Sequence, residues 1–312
     1  METGLEVLGA IPFSPGGILK QPAKAGIKKG IKEVIEPLVK RIVSKTIKDF
    51  ESLRAKFLSP IDREVEKKAF QKIVQNEADI LTQYTNQYGK VVNADNFRPF
   101  FKDIGYVGKN SEAVQEPVSY LAKQAFSQNL KNEGKFALFT SGQSGAGKSS
   151  ALEGVSGYKK VFDESAVLLD SNLSNLNSAL KKIKEAKVAG KKLIFYYVYR
   201  EPVDALENGV IKRMIQNPEE MGRIVPNKVI AENAVGSWDV AKVLDDKGYK
   251  VFFVDNSLGL NNARIVTRES LEQKIKYPQN LKDLFDKKVL ELRKAEVLTK
   301  EDAERFMGRR MF

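Results

Sequence analysis

The segment Gly142-Gln143-Ser144-Gly145-Ala146-Gly147-Lys148-Ser149 constrains this chain more than any other, because its G-x-x-x-x-G-K-[ST] spacing suits one kind of junction. Glycines let successive backbone N–H groups turn inward, and a lysine and a hydroxyl follow at the start of a helix. Such a loop needs a buried strand before it and a helix after it. Both are legible. Lys135-Phe136-Ala137-Leu138-Phe139-Thr140-Ser141 reads as a buried strand, and Ser149-Ser150-Ala151-Leu152-Glu153 opens a helix that Gly154 and Gly157 cut short. The expected ligand is ATP or GTP, held by Gly142, Gln143, Ser144, Gly145, Ala146, Gly147, Lys148, Ser149 and Ser150. Lys148 is expected to reach the β- and γ-phosphates, and Ser149 to hold Mg²⁺.

Around this loop, short apolar runs alternate with helical patterns. Lys90-Val91-Val92-Asn93-Ala94-Asp95, Ala166–Asp170, Leu193–Tyr199 and Val251–Asp255 read as further strands. Between them Glu116–Leu130, Leu176–Ala189, Val203–Met214 and Asn227–Lys247 read as helices. Strands alternating with helices predict an α/β fold, a parallel sheet with helices on both faces. Ligands on such sheets bind beyond the carboxyl ends of the strands, where Asp95, the glycine loop, Asp170, Arg200 and Asp255 all fall.

Residues 1–89 form an N-terminal extension in this reading, an irregular arm followed by basic amphipathic helices. Residues 1–25 are rich in glycine, proline and small apolar residues, and Ile27 to Leu58 is helical in period with a break at Pro37. A second helix runs from Arg63 to Tyr88 and ends near Gly89. Residues 90–262 make the α/β domain, and 263–312 a charged helical tail.

Composition removes whole classes of chemistry. The 312 residues include no cysteine and no histidine, so thiolates, disulfides and imidazole bases are all absent. Any proton transfer has to use Asp, Glu, Lys or Tyr. No apolar run approaches the roughly 18–20 residues of a membrane span, and residues 4–19 make a poor signal peptide, so a cytoplasmic protein is expected. The net charge of +12 fits a polyanion, an anionic lipid or an anionic substrate, and a solvated basic helix face accounts for it equally well.

Phosphoryl transfer needs positive charge around the migrating group, a metal, and an acceptor hydroxyl held in line. Arg213 and Arg223 flank a Pro/Gly-containing, lid-like stretch and can complete such a charge clamp. Asp95 can take the proton of an acceptor hydroxyl, and Asp170 can position Mg²⁺ through water. Each carboxylate can equally be the cap of the turn that follows it.

Several segments together resemble zeta-toxin-type P-loop kinases over about Lys90 to Gly259. They are Val92-Asn93-Ala94-Asp95-Asn96-Phe97-Arg98-Pro99, Glu116-Pro117-Val118-Ser119, Leu169-Asp170-Ser171-Asn172, Arg213, Gly222-Arg223-Ile224-Val225-Pro226 and Val254-Asp255-Asn256. The resemblance implies a P-loop NTPase-type fold that uses ATP and Mg²⁺ to phosphorylate a nucleotide sugar such as UDP-N-acetylglucosamine. It implies Asp95 as base, and Arg98, Glu116, Ser119 and Asp170 near the acceptor. In ordinary members the phosphate loop comes before the acid-x-x-Arg strand. Here Asp95 precedes the loop by about fifty residues, as in a permuted domain, and Asp170-Ser171-Asn172 lacks the usual glycine and threonine.

The leading reading is therefore an ATP- or GTP-dependent small-molecule kinase. Alternatives are a nucleotide-binding assembly protein that docks a partner through its N-terminal helices, or a kinase of nucleic-acid ends, which the charge suggests but does not favour. The N-terminal helices can also act as an antitoxin in cis.

Overall fold

The computed structural model describes residues 59–217, 222–259 and 262–308. The arm expected over residues 1–25 and the helix expected over 27–58 lie outside the described residues. Helix α1 (Pro60–Tyr88) starts where Ser59 Oγ accepts the Asp62 N–H at 3.1 Å, and it stops at Gly89, whose φ is 57°. Its buried stripe, which includes Val65, Ala69, Phe70, Ile73, Ile80, Leu81 and Tyr84, packs on α2 (Gln115–Asn129) and on the two 3-10 segments before it, Ala94–Ile104 and Gly108–Val114. The apolar face of α1 is thus covered by the chain itself. Among the described residues no helix is long and apolar enough to cross a membrane.

Six strands form one sheet: β1 (Val91–Val92), β2 (Phe136–Ser141), β3 (Ser165–Asp170), β4 (Lys192–Tyr199), β5 (Lys250–Asp255) and β6 (Arg264–Val266). The order is β1-β3-β2-β4-β5-β6, parallel except for β6, which runs antiparallel to β5. Side chains alternate between the faces with the strand period of two. On one face Leu138, Leu168, Ile194, Tyr196 and Val254 pack under α3 (Lys148–Glu153) and α4 (Tyr158–Asp163). On the other, Phe139 meets Phe126 of α2, while Tyr197 and Phe253 meet Trp238 of α8 (Asn227–Asp246). Between them the chain forms α5 (Leu176–Val188), α6 (Pro202–Asp204), a π-helical stretch (Ala205–Ile211) and α7 (Lys212–Gln216). A parallel sheet covered on both faces, with the glycine loop leaving a central strand, is an α/β fold of P-loop NTPase type.

The C-terminal residues form α9 (Arg268–Lys274), α10 (Leu281–Lys294) and α11 (Lys300–Phe306). Phe285, Val289, Leu298 and Phe306 are buried in one cluster with Leu206, Ile224 and Ile230, so this tail braces the elements around the π-helical stretch and α8. Two local expectations need correction. The strand expected over Lys90–Asp95 is only Val91–Val92, because the Asn93 side chain accepts the Asp95 N–H and turns the chain into a 3-10 helix. Strand β6, whose three residues Arg264–Val266 give no periodic signal, was not expected.

Candidate phosphate-loop site

The sheet order brings Asp95 and the glycine loop together despite their separation along the chain. Strand β2, which leads into the glycine loop, lies between β3 and β4, and β1 pairs with the outer side of β3. Neighbouring strands are about 4.8 Å apart, so the exit of β1 comes within about 10 Å of the exit of β2 in the plane of the sheet. Asp95 therefore reaches the carboxyl end of the sheet close to the loop, although it precedes the loop in sequence.

The loop itself is built by close approach. Gly142, Gly145 and Gly147 have φ of 136°, 79° and 71°. A Cβ at Gly142 would lie 2.4 Å from Val198 O, and one at Gly145 would lie 2.2 Å from Ala205 O. Three side chains hold the loop's outer rim. Gln143 Nε2 donates to Arg200 O at 2.9 Å, Arg200 Nη1 donates to Gly145 O at 3.3 Å, and buried Asn256 donates to Ala146 O at 2.8 Å. The first turn of α3 closes with Ala151 N–H on Gly147 O at 2.8 Å, which leaves the N–H groups ahead of it outside the helix ladder. A cradle of this shape fits phosphate oxygens.

Lys148 projects from the start of α3 toward the end of β3. Its Nζ is 3.4 Å from Asn172 Oδ1 and 3.9 Å from Asp170 Oδ1, and both charged side chains are mostly buried (15% and 14% exposed). Thr140, opposite Asp170 in the β2–β3 register, donates its hydroxyl to Asp170 Oδ1 at 2.7 Å. Asn93 Nδ2 donates to Asp170 Oδ2 at 2.9 Å. Ser149 and Ser150 are exposed on α3, and Ser144 Oγ lies 3.5 Å from Asn172 Nδ2. Among the described residues no group of three or more acids, histidines or cysteines gathers. A Mg²⁺ here would rest on Ser149, on Asp170 and on phosphate oxygens, which is the sparse protein ligation that Mg²⁺ accepts.

Asp95 is held from two sides. Arg98 Nε donates to its Oδ1 at 3.0 Å, and Arg223 Nη1 to its Oδ2 at 2.6 Å. Burial pushes the carboxyl up, but the Arg223 and Arg98 guanidiniums outweigh it and hold Asp95 well below the usual carboxylate range. Arg98 is itself buried, with its other donors on Ser111 O at 2.6 Å and on Gln115 Oε1. Gln115 in turn donates to Ser119 Oγ at 3.2 Å, so Arg98 and Ser119 belong to one network. A cavity of about 60 Å³ opens here, lined by Tyr88, Asp95, Arg98, Tyr106, Asn217 and Arg223.

The remaining expected residues are placed as follows. Arg213 is exposed on α7, and Glu116 is half-buried in the first turn of α2. Asp255 is held by other partners, accepting from Ser257 N–H at 3.0 Å and from Lys274. Residues 218–221 of the lid-like stretch lie outside the described residues. Sequence reasoning assigned no role to Asn93, Gln115 or Tyr106. Only Asn93 carried a signal, since an asparagine two residues before an acid often bonds to the backbone there.

No family model matches this chain, and no curated protein matches it in sequence. Among solved structures, a chain from the PezAT chromosomal toxin–antitoxin system of Streptococcus pneumoniae is similar to it at 15% identity and a TM-score of 0.32. The similarity covers 57% of this chain and 96% of the other.

Proposed function

We propose that this chain transfers a phosphoryl group from a nucleoside triphosphate to a hydroxyl of a small molecule, as the zeta-toxin-type kinases it resembles do. One observation carries the reading: Lys148, Asp170, Asn93 and Asp95 form an unbroken line of contacts across the carboxyl ends of β2, β3 and β1. A phosphate cradle and a carboxylate base are the two halves of a hydroxyl kinase site.

Mg²⁺ and ATP, when bound, supply the phosphoryl group and the metal that spreads its charge. Lys148 adds a cation at the loop, Asp170 and Ser149 hold the metal side, and Asp95 accepts the proton of the acceptor hydroxyl. For that last task Arg223 has to leave Asp95 Oδ2, because a carboxylate held so far down is a weak base. Arg223 and Arg213 are the cations assigned to the migrating charge. The cavity beside Asp95 falls well short of the roughly 300 Å³ of an ordinary ligand pocket, so an acceptor also has to open it.

The acceptor that the resemblance suggests is UDP-N-acetylglucosamine. The test is to incubate the protein with γ-labelled ATP and this sugar nucleotide, beside Asp95→Asn and Lys148→Ala. Label in the sugar product is expected from the wild type and from neither variant. If Asp95→Asn transfers label as fast as the wild type, Asp95 is not the base.

A further inference from the structure

Asn93 touches both acids of the site. It follows Val92, which pairs with Leu169 in the parallel β1–β3 register, so Asn93 is set beside Asp170 by the sheet itself. Its side chain is used at both ends. Nδ2 donates to Asp170 Oδ2 at 2.9 Å, and Oδ1 accepts the Asp95 N–H at 2.9 Å. Its backbone is fixed as well: the Asn93 N–H donates to Tyr84 Oη at 2.9 Å, and Tyr84, stacked on Phe97 at 3.7 Å, bonds to the carbonyls of Val91 and Asn93 at 3.2 Å.

Capping a turn requires only an acceptor, which Asp, Ser or Thr supplies as well as Asn does. The donor aimed at Asp170 is not explained by capping. Aspartate would cap but oppose Asp170 with a second carboxylate, and serine is too short to reach both partners at once. An amide of this length does both. With Thr140 on Oδ1 and Asn93 on Oδ2, the plane of the Asp170 carboxylate is fixed next to Lys148.

We infer that Asn93 is a positioning residue that aligns the Asp170 carboxylate for the metal side of the site and ties that alignment to the turn carrying Asp95. The inference rests on the phosphotransfer reading, and it assigns Asn93 no contact with substrate. Partners one step removed from a metal typically change its affinity by about 10- to 100-fold when lost.

The test uses the intact chain, Asn93→Ser and Asn93→Ala. Two quantities are measured: the melting temperature, and the Mg²⁺ concentration that gives half-maximal binding of fluorescent N-methylanthraniloyl-ATP. Asn93→Ser keeps the cap and is expected to melt within about 2 °C of the wild type. It is nonetheless expected to need about tenfold more Mg²⁺. Asn93→Ala is expected to show the same Mg²⁺ shift and a lower melting temperature. A Ser variant with the wild-type Mg²⁺ midpoint overturns the inference and leaves Asn93 as a cap alone. A wild type that binds the analogue without regard to Mg²⁺ also overturns it. A wild type that binds no analogue at any Mg²⁺ concentration overturns the phosphotransfer reading itself, and this role with it.

Discussion

Arg223 donates Nη1 to Asp95 Oδ2 at 2.6 Å across 128 residues of chain, so the cation assigned to the migrating phosphate covers the carboxylate assigned to the proton. The pairing occupies Asp95 Oδ2 and one nitrogen of Arg223, so proton transfer at that oxygen waits on its opening. The two guanidiniums favour the ionised form of Asp95. Its proton affinity is what the pairing removes.

Replacing Arg223 with Gln should therefore raise the Asp95 carboxyl back toward its ordinary value near 4. The sign of the stability effect follows from that direction. A carboxylate depressed in the folded state stabilises the fold above its unfolded value, and the stabilisation is lost as pH falls through its folded value. Arg223→Gln should thus be less stable than the wild type at pH 7, by about 1 kcal/mol once the partial exposure of Asp95 is allowed for. The gap should narrow progressively below about pH 4. Thermal melts at several pH values check this, and a gap that widens in acid would count against the pairing.

Arg98 and Arg213 should behave as opposites. Arg98 is buried with donors on Asp95 Oδ1, Ser111 O and Gln115 Oε1, so Arg98→Met leaves those three acceptors without their donor while Arg223 still holds Asp95 Oδ2, and should cost about 3 kcal/mol. Arg213 is exposed on α7, and Arg213→Ala should change stability by less than about 0.5 kcal/mol. Denaturant titration of the two variants separates the roles. If Arg213 serves phosphoryl transfer, its variant loses turnover with its melting curve unchanged.

What could be read from the sequence was whatever depends on near neighbours along the chain. The strand before the glycine loop, the loop and the six-residue α3 are all set by local pattern, and Asp170 ends a run of apolar residues at β3. The order of β1 and β3 was not legible, because pairing between strands 77 residues apart at Asn93 and Asp170 leaves no local trace. The same holds for Arg223 on Asp95, which depends on how α8 and the tail helices set the residues before Pro226. Asn93 hid for a second reason. Its capping bond is a common local habit, and only the sheet reveals the donor on its other side.

Lys148→Ala should remove most nucleotide affinity while leaving the fold intact. Charge-assisted hydrogen bonds contribute about 1.5–3 kcal/mol, which corresponds to a loss of about 10- to 150-fold. Among the described residues Lys148 makes long contacts, at 3.4 Å to Asn172 and 3.9 Å to Asp170, so the melting temperature should change little. Calorimetric titration with ATP and Mg²⁺ measures the loss, and equal affinity in the two proteins would remove Lys148 from the site.

Gly145 and Gly157 offer a matched pair, because both have φ of 79° but only one has a crowded neighbourhood. At Gly157 nothing lies within 4 Å of an added Cβ, so Gly157→Ala should cost only the left-handed backbone, about 1 kcal/mol. At Gly145 the Cβ would meet Ala205 O at 2.2 Å and Val210 at 3.0 Å, and backbone cannot yield as a flexible side chain can. Gly145→Ala should cost about 1–3 kcal/mol more, as overpacking typically does. It should also push the loop off the π-helical stretch and weaken ATP binding, whereas Gly157→Ala, beyond the end of α3, should leave binding within about twofold. Melting curves and ATP titrations of the two variants decide it: equal losses at both positions would mean that backbone strain alone, and not the close approach to Ala205, makes glycine necessary at Gly145.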